Sequence, residues 1–345
     1  MLSRLPVPVL CVLLALLVAV AFAADVAFGP VTLTLREIVD GLTGAGDPAS
    51  LSNVILREFR LPRAVAALCA GAGLGVAGFL LQTQFRSPLA GPAELGVSSG
   101  AGLGVAALLM AEPLLPTLLH SALGPWPVAG AAALGAAATM VLVLAIATRV
   151  WDSASLLLAG LMIASACGAV ISLMQYFSDA TQLKAYSLWG FGGLGGVTWA
   201  QNGVLVVCVG AGLVAALSLS RPLYASLLGD SAAAALGVPV KGFRVATLAV
   251  ASVLAGAITA FCGPIAFVGL AVPHLARALL RRSDPRVLQP ACILIGAALL
   301  LVCDALSHAP GWSGSQAVLP LNAITSLFGA PAVLYFLLRS AGRRA

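Results

Sequence analysis

The stretch GPIAFVGLAVPHLAR at residues 263–277 interrupts a long apolar region with two prolines, two glycines, a histidine and an arginine. Inside a bilayer an unpaired backbone N–H or C=O costs several kcal/mol, so broken backbone persists only where protein or water surrounds it. A plain anchor helix has no use for such a pattern, whereas a helix interrupted beside a solute path does. The stretch predicts a short span that enters at Gly263-Pro264 and ends near Pro273-His274, with Arg277, Arg281 and Arg282 following. His274 then reads as a polar group at a helix end rather than a ligand.

The rest of the chain fits a membrane setting. Of its 345 residues 61% are hydrophobic and 9% charged, and the mean hydropathy is +1.06. Soluble domains carry about 25% charge. Apolar segments at 6–23, 64–83, 95–111, 127–147, 154–176, 201–219, 245–262, 264–280, 288–306 and 319–338 predict an all-α polytopic protein of about ten spans in a single domain, 1–345. Gly263 and Pro264 leave almost no loop between the seventh and eighth.

The first segment has two readings. MLSR, an apolar run and AFAA at 21–24 resemble a secretory signal, but the run Val7–Ala24 is longer than the usual signal core. Retention as a first transmembrane helix is the expectation. With ten spans and the N-terminus inside, 13 of the 18 basic residues fall on the inner side and 5 on the outer: Arg36, Arg57, Arg60, Arg63 and Lys184. The positive-inside bias therefore predicts N-in, C-in topology. The net charge of +6 reflects that orientation, and the basic, aromatic-bearing soluble face that nucleic-acid binding needs is missing.

Several chemistries are excluded. The only lysines, Lys184 and Lys241, follow Leu183 and Val240, so no Gly-Lys phosphate-binding loop exists and ATP, if used, binds another subunit. His120, His274 and His308 are scattered without an H-E-x-x-H pattern, so no metal site is expected. Cys11, Cys69, Cys167, Cys208, Cys262, Cys292 and Cys303 form no C-x-x-C and read as buried apolar thiols. The spans are nearly free of charge, against the habit of ion-coupled carriers. Asp304, near a span end, reads as structural.

Local patterns add detail. Within 220–244, Asp230 is placed to cap a short helix over 231–236, Gly237 to end it, and Pro239 to keep it from restarting. Arg60 and Arg63, three apart before the second span, share a helix side. They read as snorkelling residues or as partners of nearby acids such as Asp25. Ser153 and Ser155 open the fifth span as capping residues do. Asn322 suits a helix cap. Tyr176, Phe177, Trp189, Phe191 and Trp199 suit an interfacial belt. The small-residue runs GAGLGVAG at 71–78 and VGAGLVAA at 209–216 suit close helix packing.

Taken together the motifs resemble the FecCD-type permeases of type II ABC importers, which move iron–siderophore complexes, heme or vitamin B12. They are RLPRAVAALCAGAGLGVAGFLLQTQFRSPLAGPAELGVSSGAG at 60–102, LLLAGLMIASACGAVISLMQYF at 156–177, YSLWGFGGLGGVTW at 186–199, LLGDSAAAALGV at 227–238, the stretch 263–277 and LPLNAITSLFGAP at 319–331. Their order and spacing match from about residue 56 to 340. The resemblance implies ten helices per subunit, with helices two to five and seven to ten as an inverted repeat. It implies a homodimer with the path on its axis, two ATP-binding subunits below and a periplasmic or surface binding protein above. ATP and magnesium would sit in the partner, with no cofactor in this chain.

The resemblance also assigns residues. Leu228, Gly229, Asp230, Ala233 and Gly237 would touch the ATPase. Arg60 and Arg63 would receive acids of the binding protein. Ser153 and Ala154 would form a cytoplasmic gate, and Asn322 would border the path. Pro320 is followed here by Leu321 and Asn322, where many members of the family read Pro-x-Gly. An arginine that the vitamin B12 branch places before the last span has no counterpart; His308 and the loop 308–318 stand there. The reading is a permease subunit, not an enzyme, for iron chelates (siderophore or heme), in the bacterial inner membrane. The alternatives are a vitamin B12 permease of the same family and an ion-coupled secondary transporter.

Overall fold

A computed structural model describes residues 6–44, 47, 49–110, 126–150, 152–281, 284–308 and 318–341. Seven helices are long and apolar enough to cross a membrane. They are α1 (Val7–Ala27), α3 (Leu51–Gln84), α5 (Trp126–Ala147), α6 (Ser153–Tyr176), α8 (Trp199–Ser218), α11 (Val240–Cys262) and α13 (Pro285–Ser307). Two shorter apolar helices, α4 (Val97–Met110) and α12 (Val268–Leu280), and the 21-residue α14 (Leu321–Ala341) complete the set. These ten helices follow the ten apolar segments read from the sequence. Short helices link them: α2 (Leu35–Thr43), α7 (Ala180–Gly190), α9 (Ser220–Ser226) and α10 (Asp230–Ala235).

The interruption at 263 is a real break. Residues 263–266 are non-helical, Gly263 has φ 70° and Phe267 φ 64°. A β-carbon on Gly263 would lie 2.8 Å from the Trp189 carbonyl oxygen, so only glycine fits this turn. Beyond it the helix runs Val268–Leu280, straight through Pro273. The expected ending near Pro273-His274 is thus too early by about two turns. Pro273 cannot donate to the Gly269 carbonyl one turn back, yet neighbouring packing carries the helix onward. His274 binds the Pro88 carbonyl oxygen through Nε2 at 2.9 Å, in mid-helix rather than at an end.

One order of elements occurs twice. A long helix leads to a break, then to a short helix and two long ones: α3, α4, α5, α6 and again α11, α12, α13, α14. The short members have 14 and 13 residues. Five spans separate the two starts, so the second set crosses in the opposite sense to the first.

Glycines set the closest helix contacts, because helices in lipid associate by packing rather than by exclusion of water. In α3, a β-carbon on Gly71 would overlap the Gly296 carbonyl of α13, and one on Gly78 would overlap the Gly269 carbonyl of α12. The run 71–78 is therefore a two-sided contact, with α12 and α13 both against α3. The run 209–216 differs: Gly212 meets Leu254 of α11, but Gly210 meets nothing within 4 Å.

Helix α1 packs along α13 and buries Leu10, Leu14, Ala21, Asp25 and Val26. Helix α2 follows it, opened by a capping box: Thr34 accepts from the Glu37 amide, and the Glu37 carboxylate accepts from the Thr34 amide at 2.8 Å. That carboxylate also accepts from Ser52 Oγ at 2.6 Å. With the Thr34 hydroxyl, which donates to it at 2.7 Å, three donors, the Ser52 hydroxyl foremost, hold its pKa down at about 2.

Candidate functional site

At one end of the bundle lies the segment 220–244. The chain turns at Gly229 (φ 109°), forms α10 over Asp230–Ala235, and stops at Gly237 (φ 83°). There the Gly237 amide donates to the Ala234 carbonyl and the Val238 amide to the Ala233 carbonyl. Gly237 thus ends the helix as expected. Two expectations are corrected. Asp230 is the first helical residue rather than a cap; its Oδ1 accepts from Arg86 Nη2 at 2.7 Å. Pro239 does not block a restart, because it is itself the N-terminal flank of α11. A proline suits that position, where an amide hydrogen would have no helical partner.

Exposure separates α10 and its flanking residues into two groups. Leu228 is 67% and Leu236 65% exposed, whereas Ala233 is 1% exposed. Ala233 therefore packs inward rather than offering a contact. Gly229 and Gly237 have no atoms near a hypothetical β-carbon, so their backbone angles are what require glycine. Arg86, itself at φ 49°, also donates to the Ser226 carbonyl at 3.1 Å and so clamps both sides of Gly229. Sequence reading missed this link, since 144 residues separate the partners. A cavity of about 570 Å³ opens beside Asp230, with Lys241, Arg244 and Thr148 on its walls.

On the same side α6 begins at Ser153. Asp152, not a serine, is its cap: the carboxylate accepts from the Ser155 amide and hydroxyl, both at 2.8 Å. Those bonds, the amide's first, hold Asp152 below the usual carboxylate range. Ala154 is exposed.

At the opposite end Arg60 and Arg63 turn inward. Arg60 is 3% exposed; its Nη1 donates to the Val26 and Ala27 carbonyls at 2.8 and 2.7 Å, and its Nη2 to the Val31 carbonyl. It thereby collects the carbonyls left open where α1 ends. Arg63 lies 2.7 Å from Asp304 and 3.6 Å from Asp25. His308 Nδ1 is 3.8 Å from Asp304, and burial pushes its pKa down. The internal pairing is the arrangement observed, and neither guanidinium is presented outward. The π-helical turn Ile55–Arg60, continuous with α3, carries Arg60 to this place.

Asn322 fastens the broken segment. Its Oδ1 accepts from the Ala266 amide and its own amide donates to the Phe191 carbonyl, each at 3.1 Å. It ties 263–267 to the end of α7, where the Gly193 amide donates to the Cys262 carbonyl at 2.9 Å. Of the aromatics read as an interfacial belt, Tyr176, Phe177, Phe191 and Trp199 are exposed, whereas Trp189 is half-buried beside Tyr186. Most of the loop 308–318 lies outside the described residues.

Comparison with known proteins agrees with this architecture. The FecCD transport family model matches residues 15–339. The chain is 36% identical to the vitamin B12 import system permease protein BtuC of Klebsiella pneumoniae over 287 residues, 83% of each chain. It is likewise 36% identical to the protein of that name from Escherichia coli O6:H1, over 83% of this chain and 84% of the other. A solved metal-chelate type ABC transporter in an inward-facing conformation superposes with a TM-score of 0.83 at 27% identity, covering 96% of this chain and 99% of its own. PsaBC from Streptococcus pneumoniae, at 16% identity and a TM-score of 0.54 over 88% and 95% of the two chains, shares the fold alone. With the type II ABC importer permease fold and a match along nearly its whole length, the chain belongs to the FecCD transport family.

Proposed function

We propose that this permease forms the translocation path of an ATP-driven importer for a bulky metal–organic chelate. Its named relatives favour vitamin B12 as cargo over siderophore-bound iron or heme, which reverses the order suggested by the motifs. The observation that carries the ATP-driven reading is α10. It is a short helix flanked by the exposed Leu228 and Leu236 and fixed to the bundle through Arg86 and Asp230. Bare leucines at both ends of a clamped helix suit a groove on a partner protein. Leu228, Gly229, Asp230 and Gly237 are the coupling residues of this reading, and ATP and magnesium belong to the two partner subunits.

The orientation is N-in and C-in in the bacterial inner membrane, supported by the 13-to-5 split of basic residues. The Asp230 end is then cytoplasmic and the Arg63 end faces the binding protein. Docking falls on the surface around the buried cluster, with Arg60 and Arg63 keeping that surface in shape. A second copy packs against α6, where Leu158, Leu161, Met162 and Leu173 are exposed, bringing the Ser153 and Ala154 turns together as the gate. Asn322 shapes the path by holding its broken wall. Retention of the first helix is supported by its packing along α13 and by Asp25, which it carries into the ion cluster.

Vesicles containing this chain, its ATPase and its binding protein test the reading. ATP-dependent uptake of labelled cyanocobalamin in preference to a ferric siderophore or heme is expected. Gradient-driven uptake by the chain alone would overturn it. The double variant Asp230→Lys/Gly237→Leu is expected to insert normally and to transport nothing.

A further inference from the structure

We propose that the cavity enclosed by the ends of α3 and α12, the start of α13 and the residue after α9 is a binding site for a phosphate-bearing anion. Arg277 and Arg86 are its recognition pair. The cavity measures about 200 Å³, and Gln82, Thr83, Arg86 and Arg277 supply its polar wall.

Arg277 is the key group. Its Nη1 donates to Gln82 Oε1 at 2.6 Å, and its guanidinium lies 5.8 Å from the centre of the Phe79 ring. Gln82 is fixed in turn, since its Nε2 donates to the Leu270 carbonyl at 3.1 Å. All these partners are neutral. Among the described residues no carboxylate pairs with Arg277. The arginine is therefore oriented and partly desolvated while its charge stays uncompensated. Such a group gains most from an incoming oxyanion, which a guanidinium can bind through two parallel N–H bonds.

Arg86 lines the same cavity and shares one nitrogen between Asp230 and the Ser226 carbonyl. It is half-exposed, so its fork can serve an anion as well as Asp230. The first turn of α13 at Pro285 adds the positive end of a 23-residue helix, moderated by Asp284, which caps it. Leu227 and Leu288 provide an apolar side. A basic pocket between helices with an apolar wall fits a lipid headgroup; a soluble phosphate needs only the arginines. The inner-leaflet lipid as source rests on the orientation proposed above, whereas the anion chemistry does not. Because Arg86 also holds α10, an anion in this cavity competes with Asp230 for it.

The test uses the full chain purified in detergent and offered phosphatidylglycerol, phosphatidylcholine or inorganic phosphate, with retained ligand counted by native mass spectrometry. Phosphatidylglycerol is expected to be retained about 25-fold better than phosphatidylcholine. Arg277→Gln and Arg86→Gln should each lower that preference about fivefold, the equivalent of about 1 kcal/mol per arginine near a charged surface. Arg277→Lys, which keeps the charge, should retain part of it. Phosphate binding that depends on Arg277 without a lipid preference also supports the site and assigns it a soluble ligand. Equal retention in wild type and both glutamine variants overturns it. So does Arg277-dependent capture of the ATPase with no anion bound, which would mark a socket for an acidic side chain of that partner. Should Arg277→Gln fail to fold, the exposed Arg86→Gln still decides. Cargo uptake is not read here, so failure would leave the permease function intact.

Discussion

Helices α3 and α6 are almost equally apolar, yet 89% of the apolar window of α3 is buried and only 17% of that of α6. In water such a difference would follow hydrophobicity. In lipid it cannot, because the solvent is as apolar as leucine. What separates the two is backbone approach. Gly71, Gly75 and Gly78 of α3 each meet a neighbouring backbone along the middle of the helix, whereas α6 makes one such approach, at Gly160 near its start, and its mid-helix Gly168 meets nothing. In addition, α3 carries a buried arginine paired with aspartates, and α6 is uncharged along its span. One helix is the axle of this subunit, and the other lies largely exposed along its edge.

The largest expected effect breaks the ion cluster on α3. Arg63→Ala leaves Asp304 and Asp25 buried without their cation and should cost about 3–5 kcal/mol, read as thermal unfolding in detergent. The same truncation at the exposed Arg36, paired with Asp40, should cost less than about 1 kcal/mol. Next comes the glycine contrast. Gly78→Val should cost about 1–3 kcal/mol or more through overpacking, while Gly168→Val should leave monomer stability unchanged and weaken self-association. Equal losses at both sites would remove backbone approach as the cause. Smaller still is Gly237→Ala, which meets no neighbour but must hold φ 83°. About 1–2 kcal/mol of local strain is expected, visible as weaker ATPase binding.

The smallest effect is one of pH, outside the spans. The folded pKa of Glu37 is depressed to about 2 from 4.5. Its contribution is therefore complete above about pH 4.5 and lost as pH falls through about 2. Glu37→Gln should remove that acid dependence, which an unfolding series from pH 6 to pH 2 would detect.

Much of the fold was legible because the helices announce themselves by length and apolarity. The ten segments, the break at Gly263 and the short helix ended by Gly237 each rest on local chemistry. The misreadings arose where distant partners override local preference. Asp230 looked like a cap, but Arg86 reaches it from 144 residues away. Arg60 and Arg63 carried two readings, docking outward or pairing with nearby acids such as Asp25, and only the arrival of α1 with its open carbonyls and Asp25 separates them. Asn322 could cap or line; a partner at Ala266 decided its use. Pro273 looked like a stop, yet α3 and α13 packed around α12 carry the helix past it.

The contacts of Gly71 with Gly296 and of Gly78 with Gly269 bear on how the molecule can move. Interdigitated side chains let two helices slide by changing rotamers, but backbone resting on backbone leaves nothing to rearrange. Helices α3, α12 and α13 therefore travel as one stiff plate. Displacement within the subunit is easier at α6, whose apolar window is only 17% buried.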